Sequence, residues 1–279
     1  MYATLCVKPG SKRSGKLIGT HQKLDKAARQ LLGRNLPVGK NFPTITEILR
    51  FEGMQGPDGL KRKSPGVDEP EHFIIPDNDD GVLIGYMRNH YYNLVQALKK
   101  GDRVRASFEA AWLAHVVTDG LTPAHHYPFR EVRDELVGDS DFVKIFGVQL
   151  KGVTKGENFA ETMRTNWLYF GAGGLMTKHV AYEYGVAYII TPVPLKKLQP
   201  TDFKREEAEN ANCEKDFYKA LEKIDSYKMD NHFLEHGWTT ELAVETREIL
   251  IPEIVRAITL AWAAAANQAK QELRDGKKK

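Results

Sequence analysis

Apolar residues recur at intervals of three and four along most of this chain, the period that gathers them on one face of an α-helix. His21, Leu24, Ala28 and Leu31 share such a face and predict a first helix over about 21–32. Thr44 and Glu47 have the spacing of a capping box and open a short helix through Phe51. The pattern returns over Gly81–Lys99 and Arg103–Asp119, parted at Gly101. It resumes over Asn158–Phe170 and Leu175–Ile190, the latter closed by Thr191-Pro192-Val193-Pro194. Helices over Asp202–Asp225 and Thr240–Arg274 complete the set. Pro252 is expected to kink or split the last, because proline lacks an N–H and crowds the preceding turn. Met54–Asp80, rich in glycine, proline and aspartate, reads as a long irregular loop. Tyr127–Gly156 is the least periodic stretch, and Phe142–Val153 within it suits a small hairpin. No strand–helix alternation and no internal repeat are found. The expected fold class is therefore all-α: a single multi-helix domain over 1–279, with a polar leader at 1–18, an irregular insertion at 127–156 and a Lys-rich tail at 275–279.

Composition changes this picture little. A chain of 279 residues, 42% hydrophobic and 28% charged, can bury a sizeable core. A net charge of +3 is too small to argue for a stable nucleic-acid partner. The basic clusters Lys61-Arg62-Lys63, Lys196-Lys197 and Lys277-Lys278-Lys279 read as solvated loops and a tail, or as attraction to an anionic substrate or membrane surface. Cys6 and Cys213, the only cysteines, imply no disulfide framework and allow at most one bridge. No apolar run is expected to approach the length of a membrane span. Met1–Gly19 is polar and Lys-rich without the apolar centre of a signal peptide, which taken literally places the chain in the cytoplasm unless the N-terminus has been truncated or recloned.

The chemistry lies in ionisable residues on faces that periodicity assigns to the core. His115 and Asp119 are i and i+4 and continue a stripe of Val104, Phe108 and Ala111. His179 and Glu183 repeat the spacing on a stripe with Leu175, Val186 and Ile190. His21 adds a third helix. Burying imidazoles and carboxylates without partners is costly, and a divalent cation shared between packed helices satisfies both. After Asp119, Gly120 and Pro123 turn the chain and return His125 and His126. The long loop supplies Asp58 and His72, but it lacks the residue pattern of a calcium loop.

Taken in order, Gly19-Thr20-His21, Gly56-Pro57-Asp58, His72-Phe73 with Pro76-Asp77-Asn78, His115-x-x-x-Asp119 with Pro123 and His125, and His179-x-x-x-Glu183 resemble the bacterial zinc-dependent phospholipase C family. That family is similar in fold and metal site to the single-strand-specific zinc nucleases. The resemblance implies two or three zinc ions: one on His72, His115 and Asp119, one on His125, His179 and Glu183, and a third on His21 with Asp119 as a bridge. It implies that Asp58 orients or deprotonates the attacking water, and that His126 is a bystander beside the cluster or facing solvent. Phospholipid or another phosphodiester would be the substrate, with contact at a membrane surface, and secretion would follow if the N-terminus is truncated. The chain departs from the family in having no Trp near its start to complete the third site, and in a longer interval between His125 and His179.

Two function classes follow. The first is a zinc-dependent phosphodiester hydrolase, phospholipase C-like, with single-strand nuclease or phosphomonoesterase action as the alternative on the same site. The second is a non-catalytic zinc-stabilised domain. His232-Phe233-Leu234-Glu235-His236 has the order of an inverted zinc-peptidase motif, but Gly237 ends the local helix at once and the segment reads as an exposed helix end. His90 reads as an ordinary helical histidine.

Overall fold

The computed structural model describes residues 19–36, 42–57, 74, 82–126, 160, 163–164, 167–168 and 171–276. Among these the architecture is helical, and the sole extended pairing is an isolated bridge between Ile74 and His126. The elements are α1 (Thr20–Asn35), α2 (Ile45–Ile48), α3 (Val82–Lys100), α4 (Arg103–Gly120), α5 (Leu175–Ile190), α6 (Arg205–Glu209), α7 (Cys213–Asp225), α8 (Met229–His236), α9 (Thr240–Glu245) and α10 (Ile251–Asp275).

The core is organised around α10, which packs against α1, α3, α4, α6 and α7. Its alanine-rich run from Ala261 to Ala266 keeps the helix surface low, so neighbours approach closely. Trp262 fills the remaining space, fully buried, and its indole N–H donates to the Ala110 carbonyl of α4 at 2.9 Å. A buried indole without an acceptor is costly, so this one contact fixes where α10 meets α4. By length and composition Thr240–Asp275 is sufficient to cross a membrane, contrary to the sequence expectation. However, 83% of its most apolar window is buried inside the fold, the environment of a core helix.

Helices α3 and α4 form the tightest pair, joined through Gly101 and Asp102. Gly101 takes a left-handed φ of 70°, which only glycine adopts freely, and Asp102 caps α4 by accepting from the Arg105 N–H at 3.0 Å. Thr44 and Glu47 do form the capping box of α2, and Glu47 also binds Arg103 of α4.

Three expectations need correction. The helix read over Asp202–Asp225 is two, α6 and α7, because Asn212 turns its side chain onto the Lys215 N–H and starts a new helix. Pro252 does not split the last helix. The residues before it, Thr246–Leu250, widen into a π-helical turn that absorbs the missing donor and joins α9 to α10. Val104 is exposed rather than part of a buried stripe: in the first turn of α4 Val104 and Arg105 face out, whereas its C-terminal half, from Leu113 to Gly120, is buried. Of the helix read over Asn158–Phe170, the described residues are helical. The hairpin read over Phe142–Val153 lies outside the described residues. Cys213 is a free, buried thiol, and burial pushes it up to about 12.

Candidate metal centre

Helix α1 begins at Thr20 and carries His21 in its first turn; α4 ends at Gly120 and carries His115 and Asp119 in its last two turns. These ends meet. His21 Nε2 lies 3.4 Å from Asp119 Oδ1, and His115 Nε2 lies 3.2 Å from Asp119 Oδ2. The two imidazoles stack with centroids 4.1 Å apart and planes 10° from parallel. All three side chains are buried, and neither ring nitrogen of His21 has a hydrogen-bond partner among the described residues. Leaving an imidazole dry and unbonded is unfavourable unless something else takes its lone pair. The donor atoms lie within 4.8 Å of one another, so the group could hold a metal ion. Two ligands about 2.0–2.1 Å from a tetrahedral zinc stand about 3.3 Å apart, close to the imidazole–carboxylate separations here. Burial by itself would raise the Asp119 carboxyl. Interactions with neighbouring groups, His115 and His125 among them, outweigh that and hold it well below the usual carboxylate range.

His125 and Asp119 act on each other through space, so a second group sits in the same electrostatic neighbourhood. After α4 the chain makes a short 3-10 turn, Pro123–His125, held by the Thr122 hydroxyl on the Thr118 carbonyl at 2.7 Å and the His125 N–H on the Thr122 carbonyl at 2.8 Å. This brings His125 Nε2 to 3.0 Å from Glu183 Oε1, while His179 Nε2 is 3.3 Å from the same oxygen. His125, His179 and Glu183 are thus a second group that could hold a metal ion. His179 Nδ1 faces the Ala124 carbonyl at 3.0 Å; a carbonyl only accepts, so Nδ1 carries the proton and Nε2 keeps its lone pair for the site. Burial lowers His125 to about 4, opposed by Asp119 and Glu183, so this ring is neutral at ordinary pH, the form that ligates metals. Burial would raise Glu183, but interactions with neighbouring groups, His179 and His125 among them, hold it well below its usual range.

Of the residues singled out in the sequence, His21, His115, Asp119, His125, His179 and Glu183 are brought together as these two triads. Asp58 and His72 lie outside the described residues. The chain is anchored beside both. Gly56 and Pro57 are buried, and the Ile74 N–H donates to the His125 carbonyl at 3.0 Å. His126 is in neither triad, nor does it face solvent: it is buried, with Nε2–H donating to the Gly120 carbonyl at 3.0 Å, and so ties the turn to the end of α4. His232 and His236 belong to α8, with His232 bonded to the Thr239 hydroxyl at 2.9 Å and His236 exposed. Gly237, with φ of 68°, closes that helix. His90 is buried and paired with Glu109 at 2.6 Å.

Two acidic residues beside the first triad escaped the sequence reading. Asp25 is one turn beyond His21 on α1 and is buried, as is Glu52 in the turn after α2. Glu52 Oε1 lies 3.9 Å from His115 Nδ1. Burial, then the charge of Glu52, raises Asp25 well above the usual range, against the pull of His115. The i, i+4 relation to His21 was the available signal for Asp25; Glu52 had none. Comparison with protein-family models, curated proteins and solved structures gives no match.

Proposed function

We propose that both triads bind zinc and that the chain is a zinc-dependent phosphoric ester hydrolase of the zinc phospholipase C and nuclease type. Phospholipase C-like cleavage of phospholipid head groups comes ahead of single-strand nuclease or phosphomonoesterase action. The observation that carries this reading is the pair of neighbouring triads, each with an imidazole–carboxylate donor set of the kind suited to zinc. Zinc ions held there would neutralise phosphoryl oxygens, acidify a water and stabilise the departing alkoxide. Asp119 turns one oxygen toward each histidine of its triad, so its carboxylate would complete that donor set. Asp58, which follows the buried Pro57, would orient or deprotonate the water as general base. The ordered motifs from His21 to Glu183 are the support for the lipid substrate.

One observation favours a non-catalytic metal-stabilised domain instead. The triad side chains are buried, with His179 at 13% the most exposed, and structural zinc sites are closed. Hydrolysis of phosphatidylcholine and of single-stranded DNA by the zinc-loaded chain, compared with its Asp58→Asn variant, separates these readings. An enzyme loses turnover in the variant and keeps its zinc. If the zinc-loaded wild type hydrolyses neither these substrates nor a phosphomonoester, the enzyme reading is lost and the structural one stands.

A further inference from the structure

We infer that Glu52 is the positioning residue of the first triad, accepting the Nδ1–H of His115 so that its Nε2 is directed at the metal; this rests on the metal reading of that triad. His115 Nε2 already faces Asp119 at 3.2 Å, which leaves Nδ1 on the opposite edge of the ring. There Glu52 Oε1 stands 3.9 Å away, buried and without a hydrogen-bond partner among the described residues. A carboxylate oxygen taken out of water and left unbonded is unfavourable. The nearby Nδ1–H is the donor that would satisfy it. The other carboxylate oxygen is fixed, accepting from the Gly53 N–H at 3.3 Å. The turn that carries Glu52 is fixed too. Gly53 has a φ of 64° and lies so close to Gln22 that an added Cβ would stand 2.8 Å from its amide nitrogen, while Gln22 itself accepts from the Gly19 N–H. The turn is therefore clamped to the same first turn of α1 that presents His21.

The second triad provides an internal precedent. His179 uses Nδ1 on the Ala124 carbonyl and Nε2 on Glu183, so one acceptor sets the tautomer and the other edge meets the site. Glu52 performs for His115 what a backbone carbonyl performs for His179. A carboxylate does more, because it also raises the basicity of the ligating nitrogen. Asp25, buried one turn beyond His21 and within electrostatic reach of Glu52, adds a second carboxyl to the same pocket.

Zinc titration of the full chain by competition with a chromophoric chelator, on wild type, Glu52→Leu and Glu52→Gln, tests this. Leucine removes both acceptor and charge and is expected to weaken one of the two zinc sites by about 10–100-fold. Glutamine keeps an acceptor oxygen and is expected to recover part of that loss. The melting temperature of the metal-free Glu52→Leu protein should stay level or rise, because an unbonded buried carboxylate has gone. A merely structural role predicts the reverse pattern: a lower metal-free melting temperature and unchanged zinc affinity. Should Glu52→Leu fail to fold, nitrogen NMR of zinc-loaded wild type decides, with a protonated Nδ1 and a zinc-bound Nε2 expected on His115. Zinc on Nδ1, or affinities within twofold of wild type in both variants, overturns the inference. A wild-type chain that binds no zinc overturns the metal reading itself.

Discussion

In the first triad the ligands ride on α1 and α4, both packed against α10, and the histidines stand next to buried carboxyl groups. In the second they ride on a three-residue turn and on α5, where His179 retains some exposure and is oriented by a backbone carbonyl. The donor types are nearly the same, and the foundations differ. A site set in helix ends that the core holds is preorganised by packing, so its ligands need little adjustment to meet a metal. A site closed by a turn depends on the bonds that hold the turn, here the Thr122 hydroxyl, the Ile74 N–H and the His126 ring. Neighbouring groups that could each hold a metal ion can thus differ in rigidity although their side chains are of the same types.

The sharpest way to break the comparison is to remove one carboxylate at a time. Asp119→Asn is expected to weaken zinc at the first triad by more than about 100-fold, beyond the loss typical of an outer partner, while elemental analysis still finds metal at the second. Glu183→Gln should do the converse. Simultaneous loss of both metals in either variant would show one coupled cluster rather than two sites.

Acid should act on the second triad. Burial holds His125 at about 4 against an ordinary 6.5, so between those values the unfolded chain binds more protons than the folded one. The stabilisation from keeping this ring neutral is complete above pH 6.5 and is lost as pH falls toward 4. Thermal melts of the metal-free protein across that window should show the decline, and His125→Gln should flatten it.

Packing behind the two sites offers a subtler contrast. A Cβ on Gly120 would stand 2.8 Å from the Phe217 ring and 2.9 Å from Leu83, all buried, so Gly120→Ala should cost about 1–3 kcal/mol in urea unfolding. A Cβ on Gly185 would instead overlap the ring of Trp238, a partly buried side chain held to the Ala181 carbonyl. That ring also packs on Tyr182 and Phe233, so Gly185→Ala should lose comparable stability and in addition loosen zinc at the second triad. The smallest effect is expected far from either site. Asp102→Ala removes the cap at the opposite end of α4, costing about 1 kcal/mol, and zinc affinity should not change.

Much of the helical framework was legible because burial imposes the helical period on each segment separately. The capping box at Thr44 and the i, i+4 pairs at His115/Asp119 and His179/Glu183 are local relations that a helix converts directly into proximity. The break at Asn212 and the π-helical turn before Pro252 were not legible, because a side-chain cap or a widened turn competes with helix continuation on small energy differences. Val104 shows the same limit, since periodicity gives a face but not how much of it is covered.

The sequence by itself determined the all-α class and the ligand-type residues, since both follow from residue type and spacing along one element. The family resemblance already groups His125 with His179 and Glu183; only the tertiary structure decided that His21 and His115 share one group with Asp119, and that Glu52 and Asp25 stand beside it. Those neighbours are separated by long stretches of chain. Their meeting depends on how α1 and α4 pack, which no local pattern encodes.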